Sequence, residues 1–263
     1  MDTKPQRVIV DGNALAVRTA GTGQALVFVH GWMCDSQDMV LLAAELVEDH
    51  EVVLVDLRAH GQSEGTPAAV TQADGPDGPG RFGLAEFARD VIGVVEQVGV
   101  APAMLVGHSM GAGVVLEAAH ARPDLVRGVL LIDSRWAFTA ATAEQLATIP
   151  GLWGEEYPQR RACMDDLRRR VLPEVVPDLP VQEVAAQSSR SLLTWDGRTA
   201  LRDSPVPVHA VVADQHVPLI EPARAWKPDL SAEHIAGTGH WVHVEQPARV
   251  AAAIRRFESW LAG

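Results

Sequence analysis

Short, largely apolar runs recur along most of this chain and are separated by polar segments with helical periodicity. The runs are Ala25–Val29, Val52–Val55, Met104–Val106, Val129–Ile132 and Val208–Val212. A continuous apolar run is typical of a strand that is buried on both faces. The alternation therefore predicts a parallel sheet that is covered by helices.

The segments between the runs show apolar positions at helical spacing. One stripe has Met39, Leu42, Ala43 and Leu46; a second has Phe87, Val91, Val94 and Val98, with Gly99 placed as its C-cap; the last has Val250, Ile254, Phe257 and Leu261. Near the N-terminus, two apolar stretches flank Asp11-Gly12-Asn13, which is a hairpin signal. The pattern predicts a hairpin followed by a β-α-β series in the same sheet.

Two segments break this alternation. Residues 64–81 are rich in Gly, Pro and Asp and show no periodicity, which predicts a loop. Residues 134–203 contain helix-like pieces separated by prolines and no convincing strand. Because this second segment lies between two sheet strands, we predict a helical cap at 134–203, inserted between core segments 1–133 and 204–263.

Composition limits the classes of partner. A chain of 263 residues can bury one large core, and its net charge of −12 argues against binding a phosphate backbone. Two cysteines are too few for a disulfide framework. The N-terminus lacks the apolar core of a signal peptide, and no apolar stretch is long enough to span a bilayer. We therefore expect a cytoplasmic monomer or homodimer that binds a small molecule, and neither nucleic acid nor membrane.

A candidate nucleophile follows the apolar run that ends at Val106. Gly107-His108-Ser109-Met110-Gly111 is a G-x-S-x-G motif, and a helical pattern follows it. In a strand-turn-helix context this motif exposes the serine hydroxyl at a helix N-terminus, where backbone N–H groups favour a developing negative charge. The glycines are required because the turn leaves no room for side chains. We predict that Ser109 is a nucleophile.

Further motifs make the chain resemble the α/β-hydrolase family. His30-Gly31-Trp32 ends a predicted strand, Asp56-Leu57-Arg58-Ala59-His60-Gly61-Gln62-Ser63 is similar to the family's D-x-R-G-x-G-x-S turn, and Gly237-Thr238-Gly239-His240 precedes Glu245-Gln246-Pro247. The resemblance covers residues 8–133 and 205–263. It implies an eight-stranded, mostly parallel sheet with helices on both faces and a cap between strands 6 and 7. Ala59 replaces a usual glycine, which implies a backbone that tolerates a Cβ there.

The same resemblance assigns roles to individual residues. The backbone N–H groups of Trp32 and Met110 would form an oxyanion hole, and His240 would be the general base. His234 and His243 lie nearby, but only His240 follows the paired glycines.

The triad acid has two candidates. Asp214 follows the run Val208–Val212, with Pro218 four residues later, which resembles the family's usual acid turn, although Val211 stands where the family has Gly. Asp133 follows the run Val129–Ile132, where some members of the fold place the acid. We favour Asp214 and keep Asp133 as the alternative.

An apolar substrate would bind between the core and the cap. The residues expected to line this pocket are Met33, Cys34, His108, Trp136, Phe138, Trp153, Trp195 and Trp241. Most cap aromatics could equally serve to pack the cap onto the core.

The expected reaction is hydrolysis of an ester or lactone of a small, largely apolar substrate through an acyl-enzyme on Ser109, without metal or cofactor. Two alternatives stay open. The same triad could carry out C–C hydrolysis, perhydrolysis or the cofactor-free dioxygenation of heteroaromatics known in a few relatives, which place the acid after the sixth strand. The scaffold could also be a non-enzymatic small-ligand receptor.

Overall fold

A computed structural model describes residues 4–65, 81–134 and 182–263, together with positions 162, 166, 169 and 180. The strands are β1 Gln6–Val10, β2 Asn13–Ala20, β3 Gln24–Val29, β4 His50–Val55, β5 Ala103–His108, β6 Val126–Ile132, β7 Val208–Val212 and β8 Ser231–His234. They form one eight-stranded sheet in the order β1-β2-β4-β3-β5-β6-β7-β8. Strand β2 pairs antiparallel with β1 and β4, and all the other pairs are parallel. The predicted mostly parallel sheet is confirmed.

The helices among the described residues are α1 Val40–Ala44, α2 Leu84–Val98, α3 Met110–Ala121, α4 Gln182–Thr194, α5 Gly197–Arg202, α6 Ile220–Trp226, α7 Val242–Glu245 and α8 Pro247–Ala262. Short 3-10 helices span Ser36–Met39, Pro123–Leu125 and Asp214–Leu219. The second and third predicted stripes fall on α2 and α8, and Gly99 ends α2 in the left-handed conformation with φ 79°. The first stripe covers the 3-10 helix Ser36–Met39 and α1, while its last residue, Leu46, lies in the turn that follows.

Helices cover both faces of the sheet. Leu42 of the α1 stripe and Ile254 of α8 pack against one face, together with Met104 of β5. Phe87 of α2 packs against the opposite face, together with Leu105. Adjacent strand residues point to opposite faces, so the apolar runs bury side chains on both sides, as their composition predicts.

The predicted hairpin is also confirmed, because β1 and β2 pair across Asp11 and Gly12. Both turn residues have positive φ, at 48° and 78°, which matches the twist of a tight two-residue turn. Strand β8, in contrast, has no apolar run. It lies at the edge of the sheet with half-exposed or exposed side chains, and the hydrophobic pattern does not reveal it.

The turn after β4 is built around the buried carboxylate of Asp56. Its oxygens accept hydrogen bonds from the backbone N–H of Ser36 at 2.8 Å and of Gln62 at 2.9 Å. Burial raises the pKa of Asp56, and this effect outweighs the hydrogen bonds, which would lower it. Ala59 in this turn has a φ of 59°. We expected a backbone here that tolerates a Cβ, but a φ of this value is in the left-handed region, where the Cβ of alanine is strained. That expectation is therefore corrected.

The segment predicted to be a cap leaves the sheet after β6 and returns before β7. Its described elements are α4 and α5. Helix α4 buries Val184 and Ala185, and the Trp32 Nε1–H donates to the Ala185 carbonyl at 3.2 Å. Helix α4 thus contacts the loop after β3. The boundaries 134–203 stay a prediction, since most of residues 135–181 lie outside the described part of the chain. Among the described residues, no helix is long and apolar enough to cross a membrane.

Candidate active site

The parallel strands β3, β5, β6 and β7 end at the same edge of the sheet, and the candidate residues follow these ends. Ser109 separates β5 from α3 and has φ 53° and ψ −114°, a conformation that non-glycine residues rarely adopt. Its backbone N–H donates to the Ile132 carbonyl at 3.0 Å. Holding a residue in such a region costs on the order of 1–3 kcal/mol, and strain of this kind concentrates at functional sites.

The glycines of the motif are required by close backbone approach. A Cβ on Gly107 would lie 2.3 Å from the Gly111 carbonyl oxygen, and one on Gly111 would lie 2.3 Å from the Val29 oxygen. Both distances are far inside van der Waals contact. This geometry explains why positions 107 and 111 of the turn must be glycine.

The loop after β3 runs directly against this elbow. A Cβ on Gly31 would lie 3.3 Å from Ser109 Cβ. The next residues are Trp32, which is half-buried, and Met33, which has a φ of 56°. Met110 is the first residue of α3, so its N–H has no partner within the helix. Met110 thus belongs to the elbow, and Trp32 follows directly on the residue that approaches it.

The imidazole of His240 is hydrogen-bonded to Asp133. Its Nδ1 lies 2.7 Å from Asp133 Oδ2, the carboxylate is fully buried, and 37% of the imidazole is exposed. Asp133 has a φ of 39°, so it adds a further strained backbone at the sheet edge. The alternative acid of the sequence analysis is therefore the carboxylate that the structure brings to His240.

Asp133 accepts hydrogen bonds from other groups as well. The Ala213 N–H, the Gln215 side chain and His216 Nδ1 lie 2.8, 2.8 and 2.7 Å from its oxygens. Burial alone would raise the pKa of Asp133, but the hydrogen bonds from His216, His240 and the other donors outweigh burial. They hold the pKa of Asp133 well below its usual range. Gln215 and His216 carry no signal in the sequence pattern, although both lie in the turn between Asp214 and Pro218.

Asp214, the favoured acid, is placed elsewhere, which corrects that assignment. It begins the 3-10 helix after β7, and its carboxylate faces His234, whose Nε2 lies 2.7 Å away. The Gly237 N–H donates to both oxygens at 3.2 and 3.1 Å. The hydrogen bond from His234, aided by Gly237, lowers the pKa of Asp214. Its carboxylate thus links the end of β7 to the loop after β8.

The loop that carries His240 is held by the glutamate of its motif. Both carboxylate oxygens of Glu245 lie 3.1 Å from the Gly239 N–H, and Thr238 Oγ1 donates to the Ile235 carbonyl at 2.6 Å. His243, one of the two alternative bases, is fully buried, and burial lowers its pKa to about 3. The other, His234, faces Asp214.

His108 connects the elbow to the His240 loop. Its Nε2 lies 2.9 Å from the His240 carbonyl oxygen. The centroid of its ring lies 4.7 Å from the centroid of the His240 ring and 4.3 Å from that of the His243 ring. Burial, together with the neighbouring histidines, lowers the pKa of His108 well below its ordinary value. The ring is therefore neutral, and its Nε2–H must be the donor because a carbonyl only accepts.

The predicted pocket residues have mixed outcomes. His108, Met33, Cys34 and Trp241 are all buried, at 1, 0, 2 and 5% exposure, so they pack within the protein. Their role in binding substrate stays a prediction, because low exposure does not decide whether a side chain faces a substrate cavity. Trp195 is half-buried, and its Nε1–H donates to Glu117 Oε1 at 2.7 Å. Trp136, Phe138 and Trp153 lie outside the described residues.

The chemistry of the site lies in an imidazole, a buried carboxylate and a serine in a strained turn. Within the described ranges, no group of three or more His, Cys, Asp or Glu side chains is placed to hold a metal ion. A neutral imidazole that is oriented by an ionised carboxylate can accept a proton from a hydroxyl group.

Comparisons with known proteins show which family the chain resembles. The family model described as "Alpha/beta hydrolase family" matches residues 26–253. The chain is 28% identical to 2-(acetamidomethylene)succinate hydrolase of Mesorhizobium japonicum, over 96% of this chain and 94% of that protein. It is 25% identical to esterase YbfF of Escherichia coli, over 88% of this chain and 92% of that protein.

Solved structures share the fold. An esterase from Thermogutta terrifontis superposes with a TM-score of 0.79 at 20% identity, covering 98% of this chain and 99% of that chain. A structure of E-2-(acetamidomethylene)succinate hydrolase has a TM-score of 0.75 at 24% identity, with 97% and 98% covered. The chain therefore belongs to the alpha/beta hydrolase family and is a hydrolase.

Proposed function

We propose that this protein hydrolyses an ester or lactone of a small, largely apolar substrate through an acyl-enzyme on Ser109. The observation that carries the proposal is the 2.7 Å hydrogen bond between His240 Nδ1 and the buried carboxylate of Asp133. The elbow that holds Ser109 lies against the same loop, because His108 Nε2 is 2.9 Å from the His240 carbonyl oxygen.

The hydrogen bond decides which nitrogen of His240 acts as the base. An ionised carboxylate only accepts, so Nδ1 carries the proton and Nε2 keeps its lone pair. The lowered pKa of Asp133 keeps this carboxylate ionised at neutral pH. His240 Nε2 is therefore the atom that takes the proton from the Ser109 hydroxyl.

The reaction follows from these roles. As His240 Nε2 takes the Ser109 proton, Ser109 Oγ attacks the substrate carbonyl, and the N–H groups of Trp32 and Met110 stabilise the oxyanion. The imidazolium then protonates the leaving alcohol, and the acyl group remains on Ser109. His240 next takes a proton from water as the water oxygen attacks the acyl carbon. The imidazolium returns that proton to Ser109 Oγ as the bond between Oγ and the acyl carbon breaks and the acid is released.

The ester assignment draws on the relatives as well as the site. Esterase YbfF shares 25% identity over 88% of this chain. Indole and thioether groups beside the elbow fit an apolar acyl or alcohol group, since Trp32 is half-buried and packs with Met33 and Ala185. A panel of substrates that differ in acyl-chain length, and that includes open esters and lactones, measures which of them the enzyme turns over.

The test is a panel of p-nitrophenyl esters and lactones assayed with wild type and Ser109→Ala. We expect turnover of at least one ester or lactone, and a loss on the order of 10³-fold or more in the folded variant. Wild-type turnover in Ser109→Ala would contradict the mechanism. Absence of turnover on every compound, together with tight binding of one of them, would favour the receptor alternative.

A second candidate is the cofactor-free dioxygenation of a heteroaromatic compound. The placement of Asp133 directly after β6, with its hydrogen bond to His240, favours it, because the relatives with this activity place the acid there. His240 would then deprotonate a hydroxyl group of the substrate instead of Ser109. Oxygen consumption on hydroxylated N-heteroaromatics that persists in Ser109→Ala would establish this function in place of ester hydrolysis.

A further inference from the structure

Two histidines share the carboxylate of Asp133. His216 Nδ1 lies 2.7 Å from Oδ1, while His240 Nδ1 lies 2.7 Å from Oδ2. The two ring centroids are 6.3 Å apart, with the rings nearly perpendicular at 76°. We propose that His216 is a positioning residue that orients Asp133 and, through it, the base His240. This inference rests on the proposed function, because it takes His240 as the base.

The hydrogen bonds to Asp133 explain why His216 matters. Oδ1 accepts from Ala213 N and His216, and Oδ2 accepts from Gln215 and His240, so each oxygen has two donors. An ionised carboxylate has about four acceptor sites, and here all are used. Loss of His216 leaves a fully buried charge with one donor fewer on Oδ1. The Ala213 N–H then remains as the donor to that oxygen, and the carboxylate is held at one point fewer.

The position of His216 within its turn supports the same role. Ala213, Gln215 and His216 all donate to Asp133, whereas the Asp214 carboxylate in the same turn faces His234. The turn after β7 thus supplies the donors that hold the acid, and the acid itself comes from the end of β6. His216 is 12% exposed, so its ring is fixed by packing as well as by the hydrogen bond.

The substitution His216→Ala removes the donor, and His216→Asn restores one, because the asparagine Nδ2 occupies nearly the place of the imidazole Nδ1. We expect kcat of His216→Ala to fall by about 10- to 100-fold with KM little changed, as for the loss of a hydrogen bond to a charged group. We expect His216→Asn to recover most of kcat. If His216→Ala does not fold, His216→Gln is used in its place. The glutamine side chain is longer, so its amide extends past Asp133 Oδ1 and the hydrogen bond to that oxygen is lost.

His209→Ala is the matched control. His209 is another buried histidine, on β7, with its Nδ1 2.8 Å from Ser231 Oγ, and within the described part of the chain it makes no hydrogen bond to Asp133 or His240. We expect its loss to change the melting temperature and to leave kcat unchanged. Equal losses of kcat in His209→Ala and His216→Ala would show a general packing effect and overturn the inference.

A readout that does not depend on hydrolysis is the ¹⁵N NMR spectrum of the histidine rings. We expect Nδ1–H tautomers for both His216 and His240 in wild type, and a shifted Nδ1–H resonance of His240 in His216→Ala. An unchanged His240 resonance with unchanged kcat would overturn the positioning role. Failure of the proposed function is distinct: wild type would turn over no ester while the two imidazole resonances still respond to each other.

Discussion

His108 Nε2 lies 2.9 Å from the backbone carbonyl oxygen of His240, so the residue before the nucleophile supports the loop of the base. Because the His108 ring is neutral and fully buried, this hydrogen bond is not exchanged for one to water. The nucleophile elbow and the base loop are thereby held together by a group that takes no part in the chemistry.

We expect His108→Phe to keep the packing of the ring and to lose this hydrogen bond. The loop of His240 would be less well fixed, so kcat should fall by roughly 5- to 13-fold, corresponding to about 1–1.5 kcal/mol for a neutral hydrogen bond. Steady-state kinetics and thermal unfolding of both proteins check this. A kcat equal to that of wild type would show that the contact does not position the base.

Asp133→Asn should abolish most activity, whereas Asp214→Asn should not. An asparagine at the true acid keeps the shape but favours the wrong imidazole tautomer, which has cost about 10⁴-fold in a serine protease triad. Asp214 contacts His234 and Gly237, so its substitution should act mainly on the melting temperature. Turnover and melting temperature are measured for each variant. Activity lost in Asp214→Asn and kept in Asp133→Asn would reverse the assignment.

The pH dependence of stability follows from the lowered pKa of Asp133. Its charged form is favoured by folding, so its contribution is present above the unfolded pKa of about 3.9 and is lost as pH falls below that value. The difference in melting temperature between wild type and Asp133→Asn should therefore be largest near pH 7 and shrink below about pH 4. A difference that grows on acidification would contradict the lowered pKa.

The same carboxylate stays ionised near neutral pH, so it can hold the His240 Nδ1–H throughout an assay there. We expect His240→Gln to lower the rate of acylation by about 10³-fold or more, because the amide side chain cannot accept the serine proton. Single-turnover rates of wild type and His240→Gln check this. A rate of acylation equal to that of wild type would mean that His240 is not the base.

Ala59→Gly should stabilise the protein without changing its activity. Ala59 has a φ of 59°, where a Cβ is strained by about 1–2 kcal/mol. Glycine removes this strain but loses about 0.5–1 kcal/mol more conformational entropy than alanine on folding. The expected net gain is a few tenths to 1 kcal/mol, measured by urea unfolding. Ala59→Val is the opposite control and should destabilise, since a β-branched residue fits this region worse than alanine.

The sequence pattern was sufficient for the sheet, the hairpin and the position of Ser109, because apolar runs and glycine-dependent turns are local signals. Strand β8 escaped the pattern because Ser231–His234 lies at an edge where polar side chains reach solvent. The acid could not be decided from sequence. Asp133 and Asp214 follow adjacent parallel strands, and only the side-chain direction at each strand end separates them. Burial of His108 and Trp241 likewise depends on contacts between segments far apart in the chain.

The acyl-enzyme on Ser109 can be observed directly. The enzyme is quenched in acid during turnover of an activated ester, and its intact mass is measured by mass spectrometry. We predict that the intact mass rises by the mass of the acyl group, and that peptide mapping places it on Ser109 within Gly107–Gly111. A fluorophosphonate probe should label the same residue. An adduct on any other side chain, or turnover with no adduct at Ser109 under any quench time, would contradict the account.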